Sequence, residues 1–487
     1  MTAADPHRLA ARFPAGFRFG VATSAYQIEG AAHRDGKGPS IWDTFTNTPG
    51  RVDRDVPGDR GAGHYDRWRD DVQTMRELGL GGYRFSLSWP RLFPEGVGAR
   101  NPAGFDFYRR LIDSLLEAGI EPHVTLYHWD LPQALEDRGG WANPDVAGWF
   151  GDYAAAAFEA FGDTVPTWAT LNEPISMWVG YGMGLFAPGH RDARLGRLAM
   201  HHAMRAHARG VQAFRASRAG GGGAGSGGPG GGAGVGGTAV SAGAQIGIAV
   251  DVWPRHPETD SEVDRALARR EEETSFRFFL DAALRGEYPE TMVDELAAAG
   301  LSDAEAAPAP LEPIDFVGVN VYSRSIVSAD RPGAVWWQPG DPHPGGNYLS
   351  NGQEFYPAAA REALAVVREE YGWRGPVQIT ENGFGESVPG GEPAPLDDAE
   401  RIRYVAGFLE AIADAVADGS DVRAYYLWTL MDNFEWAAGY SQRFGLHAVD
   451  EADQHRTPKA SARWYREFIA AHREARHDTP RHAGDAK

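Results

Sequence analysis

Pro376-Val377-Gln378-Ile379-Thr380-Glu381-Asn382-Gly383-Phe384 is the stretch from which the fold of this chain can be read. Residues 377–380 form a short apolar, β-branched run, with Pro before it and Asn-Gly after it. That is the pattern of a buried strand ending abruptly in a turn. Glu381 stands where the strand stops, so its carboxylate leaves the sheet as the backbone turns away. A carboxylate there is costly to desolvate unless something uses it. Taken singly, an acid at a strand end is more often a turn former or a helix cap. Repetition changes the odds.

Working outward, seven further runs behave as strands. Residues 17–23 lead into Ser24-Ala25-Tyr26-Gln27, 83–88 into Trp89-Pro90-Arg91, 121–126 into Tyr127-His128-Trp129-Asp130, and 167–171 into Asn172-Glu173-Pro174. The fifth is 245–250, the sixth is 314–319 before Asn320-Val321-Tyr322, and the eighth is 422–427 before Trp428. Helix-length spacers lie at 65–78, 105–118, 146–161, 198–217, 271–284, 357–371 and 400–418, with a closing helix at 459–471. In the first of these, Trp68, Val72, Met75 and Leu78 fall along one face. Eight strands alternating with helices predict an α/β fold, a closed (β/α)8 TIM barrel with long βα loops. The competitor, an open doubly wound sheet, would carry a Gly-rich phosphate fingerprint after its first strand, and none stands there.

The barrel is assigned to residues 13–476 as one domain, between tails at 1–12 and 477–487. One segment does not belong. Residues 220–237 are mostly Gly and cannot bury enough apolar surface to offset their ordering entropy, so a disordered surface insertion is expected. No Gly-Lys-Ser/Thr follows it, which argues against phosphate cradling.

The totals narrow the function. A formal net charge of −20 argues against nucleic acid or an anionic membrane as partner. With 15 Trp, 17 Tyr and 23 Phe the chain is rich in flat rings, which sugar faces stack on and which a large core also consumes. Cys is absent, so disulfides and thiolate zinc sites are excluded. Residues 1–16 lack the apolar core of a secretory signal, and no run approaches a membrane span. A soluble cytoplasmic protein is expected.

In a parallel barrel the C-terminal strand ends open onto one face, where active sites are built. Those ends bring Gln27, Arg84, His128 with Trp129, Asn172 with Glu173, Asn320 with Tyr322, Glu381 and Trp428 to one rim, with Glu435-Trp436 just beyond. Two carboxylates among amide, imidazole, phenol and indole donors suit an uncharged, polyhydroxylated substrate. Each has a plainer reading. His128 or Trp428 alone is more often core, Gln27 and Asn320 hold turns equally well, and Arg84 is as readily a structural ion-pair partner. Position outweighs these, because Glu173 and Glu381 end different strands on the same rim.

Thr380-Glu381-Asn382-Gly383, Asn172-Glu173-Pro174 and Asn433-Phe434-Glu435-Trp436, with Gly439-Tyr440 and Arg443-Phe444-Gly445-Leu446, resemble glycoside hydrolase family 1. So do residues 19–30 and 84–91, and the resemblance extends from about Phe13 to Ile469. It implies a cofactor-free, retaining β-glucosidase acting on small β-glucosides or short β-gluco-oligosaccharides. Glu381 would be the nucleophile and Glu173 the general acid/base, with Arg84, Asn320 and Tyr322 supporting Glu381. Gln27, His128, Trp129, Asn172, Glu435, Trp436 and Phe444 would bind the sugar, with Trp428 as its stacking platform. Trp178, Trp336 and Trp337 are candidates for the leaving-group side, although the Trp336-Trp337 pair serves equally as a packing anchor.

Two departures from the family stand out, namely Ile175 after Asn-Glu-Pro, where an aromatic residue is frequent, and the Gly-rich insertion. Glu435 would repel a phosphate, so an unphosphorylated sugar is expected. Broader galactoside or fucoside specificity, transfer to an acceptor other than water, and a sugar-binding barrel without catalysis are the alternatives.

Overall fold

The computed structural model describes residues 5–220, 239–330, 345–388 and 395–478. Apart from Gly220, the Gly-rich insertion expected at 220–237 lies outside the described residues, as do Trp336 and Trp337.

The eight strands are β1 (Arg18–Ala22), β2 (Gly82–Ser86), β3 (Glu121–Tyr127), β4 (Thr167–Asn172), β5 (Gln245–Asp251), β6 (Phe316–Asn320), β7 (Val377–Asn382) and β8 (Val422–Trp428). They close in the order β1-β8-β7-β6-β5-β4-β3-β2, every neighbouring pair parallel. The fold is a (β/α)8 TIM barrel. Its lower interior is filled by rings rather than by aliphatic layers. The Tyr426 ring occupies space left by Gly20 and Gly82; a Cβ on Gly20 would stand 2.4 Å from the Gly82 carbonyl oxygen and 2.7 Å from that ring. His123 meets Tyr426 and Phe316 edge-on at 5.3 and 5.5 Å.

The helices around the barrel follow the apolar periodicity. In α2 (His64–Leu78) the face of Trp68, Val72, Met75 and Leu78 is buried, and Gly79, at φ 73°, ends the helix in a conformation that only Gly adopts cheaply. The helices α3 (Pro102–Glu117) and α4 (Val146–Phe161) follow. The next, α5 (Ala193–Gly220), begins five residues before the expected start, because Asp192 Oδ1 accepts from the N–H groups of Arg194 and Leu195 at 2.8 and 3.2 Å.

The expected single helix at 271–284 is two, α6 (Glu262–Glu273) and α7 (Phe276–Leu284). The Ser261 hydroxyl starts α6 early by accepting from Asp264 N–H at 3.0 Å. Thr274 and Ser275 end it by turning their hydroxyls back onto the carbonyls of Arg270 and Glu271, at 3.0 and 2.6 Å. The helix α8 (Ala358–Ala365) passes into a wide π-helical turn, Val366–Glu370, before α9 (Ala399–Ala417) and α10 (Ala460–Asp478).

The expected tail at 1–12 holds a short helix, α1 (Pro6–Ala10), started by Asp5 and burying Leu9 and Ala10 against α10. The last helix likewise runs two residues past 476. Among the described residues no helix is long and apolar enough to cross a membrane.

Candidate active site

The rim residues converge on one buried amide. Asn172, the last residue of β4, accepts at Oδ1 from Arg84 Nη2 at 2.7 Å and from Asn320 Nδ2 at 3.0 Å. With its oxygen committed, its Nδ2 is the donor toward His128 Nε2, at 3.1 Å. His128 Nε2 is therefore the acceptor, and the ring proton sits on Nδ1, which has no hydrogen-bond partner among the described residues. Burial, reinforced by Arg84, lowers the His128 pKa well below the usual value, so the ring is neutral.

Glu381 lies near the end of β7 and is 4% exposed. Its Oε1 accepts from Arg84 Nη1 at 2.6 Å and its Oε2 from the Tyr322 hydroxyl at 3.0 Å. Glu173 begins the loop after β4 at φ 42° and gives its N–H to the Ala249 carbonyl at 2.9 Å. Its Oε1 accepts from Asn320 Nδ2 at 2.7 Å. Asn320, in register with Glu381 and bearing on its carboxylate, also links Asn172 to Glu173, while its own Oδ1 takes the Thr380 hydroxyl at 2.6 Å.

Burial raises the proton affinity of both carboxyls. For Glu381 this is opposed by the charge and hydrogen bond of Arg84, then by Tyr322 and Asn320. For Glu173 it is reinforced by the negative charges of Glu381 and Asp251, and the pKa moves well above the usual carboxylate value. The pair's first proton therefore belongs on Glu173.

A second cluster flanks the first. Gln27 accepts from Ser24 Oγ at 2.6 Å, and its Nε2 donates to Asn433 Oδ1, the Phe434 carbonyl and Glu435 Oε2 at 3.2, 2.9 and 3.1 Å. Burial, then the charge of Glu381, pushes the Glu435 pKa up to about 8. The rings of Trp428 and Trp436 lie nearly parallel to His128, at 5.6 and 6.1 Å. Trp129 packs on Trp436 at 4.6 Å and ties its indole N–H to the Asn172 carbonyl at 2.9 Å. Phe444 meets Tyr322 edge-on at 6.4 Å.

The model of glycosyl hydrolase family 1 matches residues 9–474. The chain belongs to that family. It is 40% identical over 464 residues to beta-glucosidase A of Thermotoga maritima, covering 94% of this chain and 98% of the relative. The solved family 1 β-glucosidase of the same organism superposes with a TM-score of 0.83 at 39% identity, covering 94% of this chain and 98% of that one. A solved complex of that enzyme with glucoimidazole gives 0.82 at 38% identity, with 94% and 99% covered.

Several further residues of this family 1 hydrolase bear on the site. Trp178 lies in the turn after β4, half-buried, with the Arg197 guanidinium of α5 3.8 Å above its ring. It joins that turn to α5. Trp42, not among the residues picked from the sequence, packs on Trp436 at 4.6 Å and completes the aromatic wall with Phe186. Asp251 was missed altogether. It ends β5, fully buried beside the Glu173–Glu381 pair, and a lone Asp after an apolar run looks like any turn former.

Proposed function

We propose that this chain is a retaining β-glucosidase that releases terminal non-reducing β-D-glucosyl residues through a covalent ester on Glu381. The unequal surroundings of two buried carboxyls carry this reading. Glu381 accepts from a guanidinium and a phenol, whereas Glu173 accepts from one amide in the field of Glu381 and Asp251. Cleavage of a glycoside needs one ionised and one protonated carboxyl at the same pH.

In the first step an oxygen of Glu381 bonds to the anomeric carbon as its bond to the glycosidic oxygen breaks. The proton of Glu173 goes to that oxygen, and the alcohol leaves neutral. The ester spends the charge of Glu381, and Glu173 is left ionised. In the second step Glu173 takes a proton from water, the water oxygen bonds to the anomeric carbon, and Glu381 leaves with its charge restored. Two displacements return the β configuration.

The Nδ1–H of His128 and the carboxyl of Glu435 would meet sugar hydroxyls, held in place by Asn172 and Gln27. Trp428 would lie beneath the ring, with Trp129, Trp436 and Phe444 closing the site. The solved complex of the Thermotoga maritima relative with glucoimidazole supports a sugar-sized ligand class for this chain rather than a polymer or a nucleic acid. Glu435 argues for an unphosphorylated sugar.

The test is proton NMR of the anomers released from a nitrophenyl β-glucoside. β-Glucose appearing first is expected. α-Glucose first would remove the ester, and no turnover of any β-glycoside would remove the enzyme reading.

A further inference from the structure

Asp251 is a further carboxyl at this rim, beside Glu173, Glu381 and Glu435, and the two displacements above give it no task. As the last residue of β5 it pairs in register with Asn320 of β6, so the two side chains point into the barrel at the same height. That neighbour holds Glu173 by its amide at 2.7 Å, and Glu173 in turn hangs its N–H on the Ala249 carbonyl of β5 at 2.9 Å. Asp251 thus ends one of the two strands that fix Glu173, level with the residue of the other that holds its carboxyl. It is fully buried, and among the described residues no other gives a hydrogen bond to either of its oxygens.

The charged groups around it are few. From the loop after β5 comes Arg255, whose guanidinium also serves the Trp253 carbonyl at 2.6 Å and Glu271 at 3.7 Å, with Glu272 behind. From β4 comes Glu173 and from β7 comes Glu381, with Arg84 of β2 beyond them. Asn320 on β6 is uncharged. Burial pushes the Asp251 pKa up to about 7, Arg255 and its own backbone N–H opposing and Glu381 adding. The acid is neutral in mildly acid solution and gains its charge as neutrality is passed. Two adjacent buried carboxyls do not both ionise readily, so the first to lose its proton holds the proton of the second.

We propose that Asp251 is a positioning residue for the proton of Glu173: once ionised, it keeps Glu173 protonated and carries proton donation to the leaving group into alkaline solution. This rests on Glu173 as the general acid. It requires that Asp251 act on leaving groups that need a proton and be silent on those that do not.

Asp251→Asn keeps the shape and removes the charge. With an alkyl β-glucoside, the alkaline limb of the kcat/KM profile is expected to move to lower pH. On the alkaline shoulder the variant then falls about tenfold further behind wild type than on the acid side. With a dinitrophenyl β-glucoside, which departs without a proton, the two profiles should run parallel. If Asp251→Asn does not fold, Asp251→Ser carries the same comparison. An unmoved limb, or equal losses at every pH and on both substrates, would overturn the inference and leave the glycosidase reading standing. A wild-type protein inert on all β-glycosides would overturn the reading beneath it.

Discussion

Replacing Glu381 by Ala leaves Arg84 and Tyr322 aimed at a position with no carboxylate, and opens space beside the anomeric carbon. Hydrolysis is expected to drop by several orders of magnitude. Azide, small and anionic, should restore part of it and yield the inverted α-glycosyl azide; full activity without azide would remove the nucleophile. Glu173→Gln keeps the hydrogen bond from Asn320 but has no acidic proton. Alkyl glucosides should lose about 10²–10⁴-fold in kcat/KM and dinitrophenyl glucosides far less, and equal losses would deny the acid role. Both carboxyls stood out in the sequence because each closes an apolar run at a strand end. The partners were less legible. Asn320 reaches Glu173 past the intervening β5, and the indole N–H of Trp129 is spent on the Asn172 carbonyl. Asp251 closes an apolar run in the same way, and what sets it apart comes from neighbours distant in sequence.

At the level of elements, all eight strands fell where the apolar runs placed them, within two residues, because burial on both faces leaves little room for polar residues. Helix boundaries were less legible, and the reason is side-chain hydroxyls and carboxylates that compete for the backbone. Thr274 and Ser275 split one expected helix in two, and Asp192 lengthened another at its start. Asp192→Ala should lower folding stability by about 1 kcal/mol, the ordinary value of an N-cap, measured by denaturant unfolding. No change would mean that α5 is held by its packing, chiefly on α4 and on the turn after β4, without help from the cap. The Trp178–Arg197 stack belongs to the same level, because it pins the turn after Glu173 to that helix.

For the molecule as a whole, the acids that serve the site weigh against stability. An acid whose folded pKa is raised binds its proton more tightly in the folded state, so stability is lost as the pH rises between the two values. For Glu435 that window runs from about 4.5 to about 8. Glu435→Gln is permanently neutral and should melt like wild type at the acid end of the window and higher above it. The gain is expected to grow through the window by up to about 1.4 kcal/mol per pH unit. Melting temperatures that stay together across the window would contradict the raised pKa. The hub at Asn172 has a consequence of another kind. Arg84, Asn320 and His128 all bond to that one amide, so substitutions among them are expected to be strongly non-additive in double-mutant cycles. A lineage carrying this barrel can alter that trio only by several changes at once, whereas Glu435 meets it through none of them. Sugar preference can therefore drift at the rim while the chemistry beneath stays frozen.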